Sequence, residues 1–398
     1  MRADVKKIWK SYVKNLTKAM KDKYFRIGVT RATDSYEEKI RNLLTRFKES
    51  HELAQEVKAI KERVIDNIDD FVDKAINTFR EHGFNVHYAE TREEANEIVG
   101  NIVGSGKIVV KAKSITSEEI RLREYLLEKG NEVWETDLGE FILQLLNDRP
   151  MHLVTPSLHV PREKVAEIFG KLLSKKFDPS NVRELVKAAS DFLRDKYYSA
   201  DFGIVGANVV AALDGAIILI HNEGNIRFIT SVSRELIILT GIEKIVPTLE
   251  DAMKIAYVLS RFAGYKVGGY YDIIGGPRSY NIISTAEPLQ PRKIHIIFLD
   301  NGRKKMMKDP EFREAALCLR CGACMYSCPV FKIIAGKFGG PTYMAGIGAI
   351  WTYFIDGKEK ASPVIYTCLL DGRCRERCPL QIDIPKMILK LRNRLASE

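Results

Sequence analysis

The chain has 398 residues, 45% of them hydrophobic and 29% charged, the balance of a globular protein with length for two or three domains. Its amino terminus is charged and lacks the apolar core of a signal peptide, and no apolar run reaches the ~20 residues that cross a bilayer, so the expected location is the cytoplasm. The net charge of +10 comes from Lys and Arg interspersed with Glu and Asp, the pattern of a solvated surface, and nucleic acid is not an expected partner.

Residues 1–80 read as a helical region. Val57, Ile60, Val64, Ile68, Val72 and Ile76 recur at helical spacing, and a break is expected over residues 30–35. From residue 81 the texture changes. Strands are predicted at 85–88, 107–111, 132–135 and 152–155, alternating with helices at 91–103, 117–129 and 141–146, which argues for βαβ units and a parallel sheet. A helical stretch over 160–200 follows. Strands return at 202–205, 216–221, 226–230, 235–239 and 244–246, read as hairpins turning at Asp214-Gly215 and Glu223-Gly224-Asn225. A helix at 249–263 and strands at 270–274 and 294–299 complete an α/β domain over residues 81–303. Residues 304–398 form the last domain, helical with Gly-rich loops.

All seven cysteines lie in this last domain. A disulfide framework would spread them through the fold, so their crowding points to metal. Cys318, Cys321, Cys324 and Cys328, followed by Pro329, have the C-x2-C-x2-C-x3-C-P spacing of bacterial ferredoxins. Three thiolates on one tight loop wrap three corners of an iron–sulfur cube, and Gly322 lets the backbone approach the inorganic sulfur. Zinc sites instead pair two short hooks far apart. Cys368, Asp371, Cys374 and Cys378, followed by Pro379, repeat the template with aspartate in the second position. The fourth cysteine of such a run ligates the other cluster. One cluster, of the 4Fe-4S type, is therefore expected on Cys318, Cys321, Cys324 and Cys378, and a second on Cys328, Cys368, Cys374 and Asp371. The second is either a 4Fe-4S cluster with an Asp-ligated iron or a 3Fe-4S cluster lacking that corner, in which case Asp371 only occupies the turn. The stretch between the runs is expected to form a docking surface for a partner.

Further segments stand in the order of a known family: Val110-Lys111-Ala112-Lys113-Ser114, Glu135-Thr136-Asp137-Leu138-Gly139-Glu140, Gly206-Ala207-Asn208, Asn222-Glu223-Gly224-Asn225, Gly241-Ile242-Glu243-Lys244, Gly276-Pro277-Arg278 and Leu299-Asp300-Asn301-Gly302-Arg303. With the first cysteine run they make the chain resemble the lactate utilisation protein B family, the iron–sulfur subunits of an L-lactate oxidising system. The resemblance implies an α/β fold: a lactate-utilisation domain of the CoA-transferase and ribose-phosphate-isomerase-like class, followed by an α-helical, ferredoxin-like iron–sulfur domain. It implies electron transfer in a cytoplasmic complex that oxidises L-lactate, or a related 2-hydroxy acid, to pyruvate. Two partner subunits are implied, one resembling a cysteine-rich heterodisulfide-reductase-like protein and the other a second lactate-utilisation-domain protein. Where this chain has Cys368 and Asp371, the family usually carries a small residue and a cysteine.

Lys111, Lys113 and Ser114 follow a predicted strand, where open α/β sheets bind ligands. With Asn208 and Arg278 they are the residues expected to hold a carboxylate such as lactate, although a strand-end lysine can equally bury its stem and solvate its head. Arg303 is a further candidate for an anion. Glu223 occupies a turn whose counterpart in CoA transferases carries a catalytic Glu, so the alternative function is a CoA- or acyl-transferase-like enzyme with Glu223 as nucleophile. An Asp-ligated, easily lost corner suggests a third, a redox-responsive binding protein. His152 and His159 read as structural or exposed, and neither a nucleotide nor a flavin loop is found.

Overall fold

The computed structural model describes residues 2–265, 270–276 and 292–397. Four helices open the chain: α1 (Arg2–Lys21), α2 (Lys23–Arg46), α3 (Glu49–Asp66) and α4 (Ile68–Glu81). The expected break at 30–35 is absent. Helix α2 runs through it, and Thr33 rests its hydroxyl on the Val29 carbonyl at 2.9 Å, a bond that lets a helix carry threonine. The breaks fall instead at Asp22, whose carboxylate caps α2 by accepting from the Phe25 N–H, and at Asn67 between α3 and α4. Val57, Ile60, Val64, Ile68 and Val72 are all buried, as the helical stripe requires.

Ten strands are found among the described residues: β1 (Asn85–Ala89), β2 (Ile108–Lys111), β3 (Glu132–Glu135), β4 (Phe202–Gly206), β5 (Val209–Ala211), β6 (Ala216–His221), β7 (Glu235–Gly241), β8 (Ile245–Val246), β9 (Tyr270–Ile274) and β10 (Lys293–Leu299). Six form one parallel sheet in the order β1-β10-β7-β4-β2-β3. Its inner strands β7 and β10 are apolar and buried along nearly their whole length, as strands covered on both faces must be. The other four form a second sheet, β8-β5-β6-β9, in which β5 and β6 make the hairpin expected at Asp214-Gly215.

The remaining expected hairpins are not formed. Strands β4 and β7 pair in parallel, and residues 226–230, predicted as a strand, belong to the helix Asn225–Val232. That helix starts from Gly224 in the left-handed region, at φ 79°, so Glu223-Gly224-Asn225 opens a helix and not a hairpin. Its Ile229 is fully buried, and its ring of contacts includes the face of Gly203, where a Cβ would lie 2.6 Å from Ile229 Cγ2. Residues 152–155 are also not a strand. His152 Nδ1 accepts from the N–H groups of Val154 (3.0 Å) and Thr155 (3.2 Å), bonds that take the place of a ladder.

Because the six strands run one way, their carboxyl ends share one edge. Residues 112–114 leave β2 there, 136–137 leave β3, 207–208 leave β4, 242–244 leave β7 and 300–303 leave β10. This is where open α/β sheets hold their sites. The cysteine-bearing segment joins the sheet at this edge through Arg320 and Tyr343, which bond to Glu243 and Glu119. In the stretch between the cysteine runs the helix Ala345–Ile355 is buried from residue 345 to 352, whereas Ile333 and Tyr366 are exposed. Helices α2 and α3 pack on Leu249–Phe262 of the α/β region, and α2 also touches the short helices Ala323–Tyr326 and Phe331–Ile334 beside the first cysteines. Among the described residues no helix is long and apolar enough to cross a membrane.

Candidate functional site

Arg303 follows β10 and has no solvent exposure. A guanidinium taken out of water must have its donors matched. Its Nη1 and Nη2 donate to the two oxygens of Glu119, each at 2.8 Å, and its Nε donates to Glu243 at 2.5 Å. Tyr343 donates to Glu119 as well. The second oxygen of Glu243 accepts from Arg320 at 2.6 Å, and Arg320 stands between Cys318 and Cys321 in the first cysteine loop. The anions that Arg303 holds are thus the protein's own. Burial alone would raise the Glu243 carboxyl, but Arg303 and Arg320 hold it well below the usual carboxylate range. Lys61 donates to the Glu243 carbonyl at 2.8 Å. Lys244, next in sequence, is buried and has no hydrogen-bond or ion-pair partner among the described residues. Burial, then the charge of Arg320, push its ammonium down to about 7.

Lys113, Ser114, Asn208 and Lys244 line one cavity of about 140 Å³ at this edge, and Leu319 and Arg320 of the first cysteine loop also line it. Three of the residues expected to hold a carboxylate therefore come together. The Lys113 ammonium donates to Asp137 (3.1 Å) and to the Val154 carbonyl (3.0 Å). Ser114 caps its own helix by accepting from the Ser117 N–H. Asn208 accepts the Ile220 N–H at 2.8 Å. Lys111 stands apart. It is fully buried, with its ammonium on Glu118 (3.2 Å), Glu135 (3.1 Å) and Ser117 (3.0 Å), all of its donors in use within the fold. Arg278 lies outside the described residues. Glu223 borders a different groove, with Tyr197 and Phe228. There it accepts the Leu138 N–H at 3.2 Å, and loss of water and the charge of Asp137 push its carboxyl up.

The first cysteine loop turns through Arg320 at φ 61° and Gly322 at φ 78°. Gly322 is required twice over: its φ is left-handed, and a Cβ there would lie 2.6 Å from Cε1 of His152. His152 is fully buried, stacks on Tyr326 at 4.4 Å and leaves its Nε2 without a partner among the described residues. Burial pushes its imidazole down to about 3. The second loop repeats the backbone, with Leu370 at φ 59° and Gly372 at φ 87°, and places Asp371 where the first has Cys321.

Burial raises the Cys321 thiol first, followed among its neighbours by the charges of Cys378 and Cys318; Cys324 is raised by burial and by Cys318, Cys321, Cys378 and Cys374. Burial also pushes Cys374 up to about 12, helped by Cys368, Cys328 and Asp371, and Cys328 up to about 11, helped by Asp371 and Cys368. Backbone N–H groups face the sulfurs: Ala323 at Cys321, Val330 and Phe331 at Cys328, Leu370 at Cys368, and Leu380, Gln381 and Ile382 at Cys378. Such donors stabilise thiolate bound to iron. Among the described residues no three His, Cys, Asp or Glu side chains could hold a single metal ion.

The sequence reading missed Lys244, and missed Glu119 and Glu243 as partners of Arg303 and Arg320. A signal was present, since Gly241-Ile242-Glu243-Lys244 directly follows a strand of the parallel sheet.

Residues 72–299 match the LUD domain family and residues 314–382 the 4Fe-4S dicluster domain family. The last domain is thus an iron–sulfur domain. The chain is similar to lactate utilization protein B from Bacillus velezensis, 34% identical over 343 residues that cover 85% of this chain and 71% of that one. It is similar to the protein of the same name from Oceanobacillus iheyensis, at 37% over 84% of this chain and 69% of that one. Lactate utilization protein B 1 from Bacillus mycoides is 34% identical over 95% of this chain and 78% of its own. A solved DUF162 family protein from Deinococcus radiodurans aligns at a TM-score of 0.32 and 12% identity, over 58% of this chain and 98% of that one.

Proposed function

As the chain belongs to the lactate utilization protein B family, we propose that it is the iron–sulfur electron-transfer subunit of a cytoplasmic complex that oxidises L-lactate, or a related 2-hydroxy acid, to pyruvate. One observation carries this reading. The cavity at the carboxyl edge of the sheet is lined jointly by strand-end residues and by Leu319 and Arg320 of the first cysteine loop, so a small anion held there borders a redox group.

In this reading Cys318, Cys321, Cys324 and Cys378 hold a 4Fe-4S cluster. Cys328, Cys368 and Cys374 hold a second, with Asp371 at its fourth corner; whether that corner keeps its iron decides between a 4Fe-4S and a 3Fe-4S cluster. Bound clusters supply one-electron storage and relay. The chain's own part is to present thiolates on N–H-lined loops, to keep the first loop fixed to the sheet through Arg320, and to leave the second at the surface. Leu369 is 67% exposed and Tyr366 47%, with Arg373, Arg375 and Arg377 close by in sequence. Electrons leave from this side toward the partners, a cysteine-rich heterodisulfide-reductase-like subunit and a second lactate-utilisation-domain protein.

The test is iron and sulfide analysis with EPR on the anaerobically purified protein, followed by addition of L-lactate in the presence of the partner subunits. Two clusters, reduced on addition of lactate, are the expected result. Absence of iron, or clusters that lactate leaves oxidised with both partners present, overturns the reading.

A further inference from the structure

We propose that the cavity at the sheet edge binds a small carboxylate, with Lys244 as its counter-ion, against the loop that carries the first cysteines. The proposal rests on the electron-transfer reading for its redox group and adds a ligand site within this chain.

Lys244 is 9% exposed and lines the cavity. A buried cation is costly unless paired, yet the carboxylate adjacent in sequence is already committed: one oxygen of Glu243 accepts from Arg303 and the other from Arg320. Four cations, Lys61, Lys244, Arg303 and Arg320, are set against the carboxylates of Glu119 and Glu243 and the sulfur of Cys318. Asp137, the acidic residue on the cavity wall, is neutralised by Lys113 at 3.1 Å. Among the described residues no carboxylate pairs with Lys244 at this cavity.

The walls narrow the ligand's chemistry. Asn208 uses its Oδ1 on the Ile220 N–H, which leaves its Nδ2 donors for an oxygen of a guest. Leu259 and Leu319 give an apolar patch, suited to a short aliphatic substituent. A space of about 140 Å³ lies below the ~300–1,000 Å³ of drug-sized and cofactor sites. It admits a molecule of a few heavy atoms and excludes a nucleotide or an acyl-CoA. A short carboxylate with a polar group beside it, the form of a 2-hydroxy acid, satisfies all three constraints. Because the guest borders the first cysteine loop, its negative charge disfavours an added electron there, and by linkage reduction disfavours the guest. A product anion would thus be released more readily once the electron has arrived.

The site is tested by calorimetric titration of the anaerobic, cluster-loaded protein with L-lactate and with its neutral counterpart lactamide. Lactate is expected to bind and lactamide to bind roughly tenfold or more weakly, and Lys244→Gln is expected to weaken lactate by a similar factor. Asn222→Asp, at an exposed position on the cavity lining, puts a negative charge at the mouth without disturbing the interior and is expected to weaken lactate in the same direction. Equal affinity for lactate and lactamide, no binding to the unaltered protein, or unchanged affinity in both variants overturns the site. A Lys244→Gln protein that shifts only the midpoint potential of a cluster, with lactate affinity unchanged, also overturns it, since the lysine then serves the cluster alone. Lactate-driven cluster reduction with the partners, measured on the same preparations, separates the two ideas. Reduction without binding removes the site and keeps the electron-transfer role, and loss of reduction removes the role.

Discussion

Arg320 and Leu370 occupy equivalent places in two loops of nearly one shape, at φ 61° and 59°, and Gly322 and Gly372 follow at φ 78° and 87°. Each loop then enters a four-residue helix, Ala323–Tyr326 or Arg373–Glu376. Their surroundings differ. A Cβ on Gly322 would strike His152, whereas one on Gly372 would meet nothing within 4 Å. Arg320 is locked to the buried Glu243, whereas Leu370 packs at the rim of the core and the following residue, Asp371, meets Arg373 at 3.3 Å in a pair whose arginine is 58% exposed. Ligand spacing sets the shape of a loop. What packs on it decides whether a cluster held there faces the sheet edge or the outside, and how firmly the loop is held.

The largest effect should come from the buried side of this contrast. Arg303→Met leaves Glu119 and Glu243 buried without their shared cation and is expected to cost about 3–5 kcal/mol, read by denaturant unfolding; a loss comparable to that of a surface pair would show that the inner loop is not anchored through this network. The glycine pair comes next. Gly372→Ala should cost only left-handed strain, about 1–2 kcal/mol, whereas Gly322→Ala adds a clash with a buried ring and should reach about 2–5 kcal/mol. Equal costs for the two would erase the distinction between the loops.

The third effect is a pH dependence. His152 stays neutral in the folded protein because burial pushes it from 6.5 down to about 3, while the unfolded chain takes up a proton on this residue below its ordinary value. Between pH 6.5 and about 3 the unfolded state therefore binds more protons, and stability falls as the pH falls. The slope from this group is at most ~1.4 kcal/mol per pH unit. Unfolding midpoints followed downward from neutral pH should show it, and His152→Phe should flatten it; an unaltered slope in that variant would mean that other groups govern acid unfolding. The smallest effect belongs to the outer loop. Arg373→Gln removes a largely solvated partner of Asp371 and should change stability by less than ~1 kcal/mol, with unfolding curves nearly superimposed on those of the unaltered protein.

Much of the fold was legible because its signals are local. The helix predicted at 249–263 is found as Leu249–Phe262, and the strands at 235–239 and 294–299 lie within β7 and β10. The cysteine spacing led directly to two loops of one shape. Residues 226–230 misled because Ile226, Ile229 and Thr230 favour a strand locally, while the left-handed Gly224 and the packing of Ile229 on Gly203 give a helix. The site was harder to read, since its bonds span the chain: Arg303 and Glu119 are 184 positions apart. Lys113 and Ser114 were found by the rule that ligands gather at strand ends, and so was Lys111, which that rule cannot distinguish from a lysine consumed by Glu118 and Glu135, whereas Asn208 was singled out by its place in a family-like segment. Lys244 stood in a segment already noted for its family resemblance, but the absence of a partner for it is a property of the folded chain alone.

The division into an inner and an outer cluster rests on Cys378 crossing from its own run to the first loop, and on Cys328 crossing the other way. EPR of the anaerobically reduced protein and of single cysteine-to-serine variants tests this most directly. Cys378→Ser should alter the same signal as Cys321→Ser, and Cys328→Ser the same signal as Cys374→Ser. If Cys378→Ser instead alters the signal that Cys374→Ser does and leaves the other intact, each run holds its own cluster and the division is contradicted.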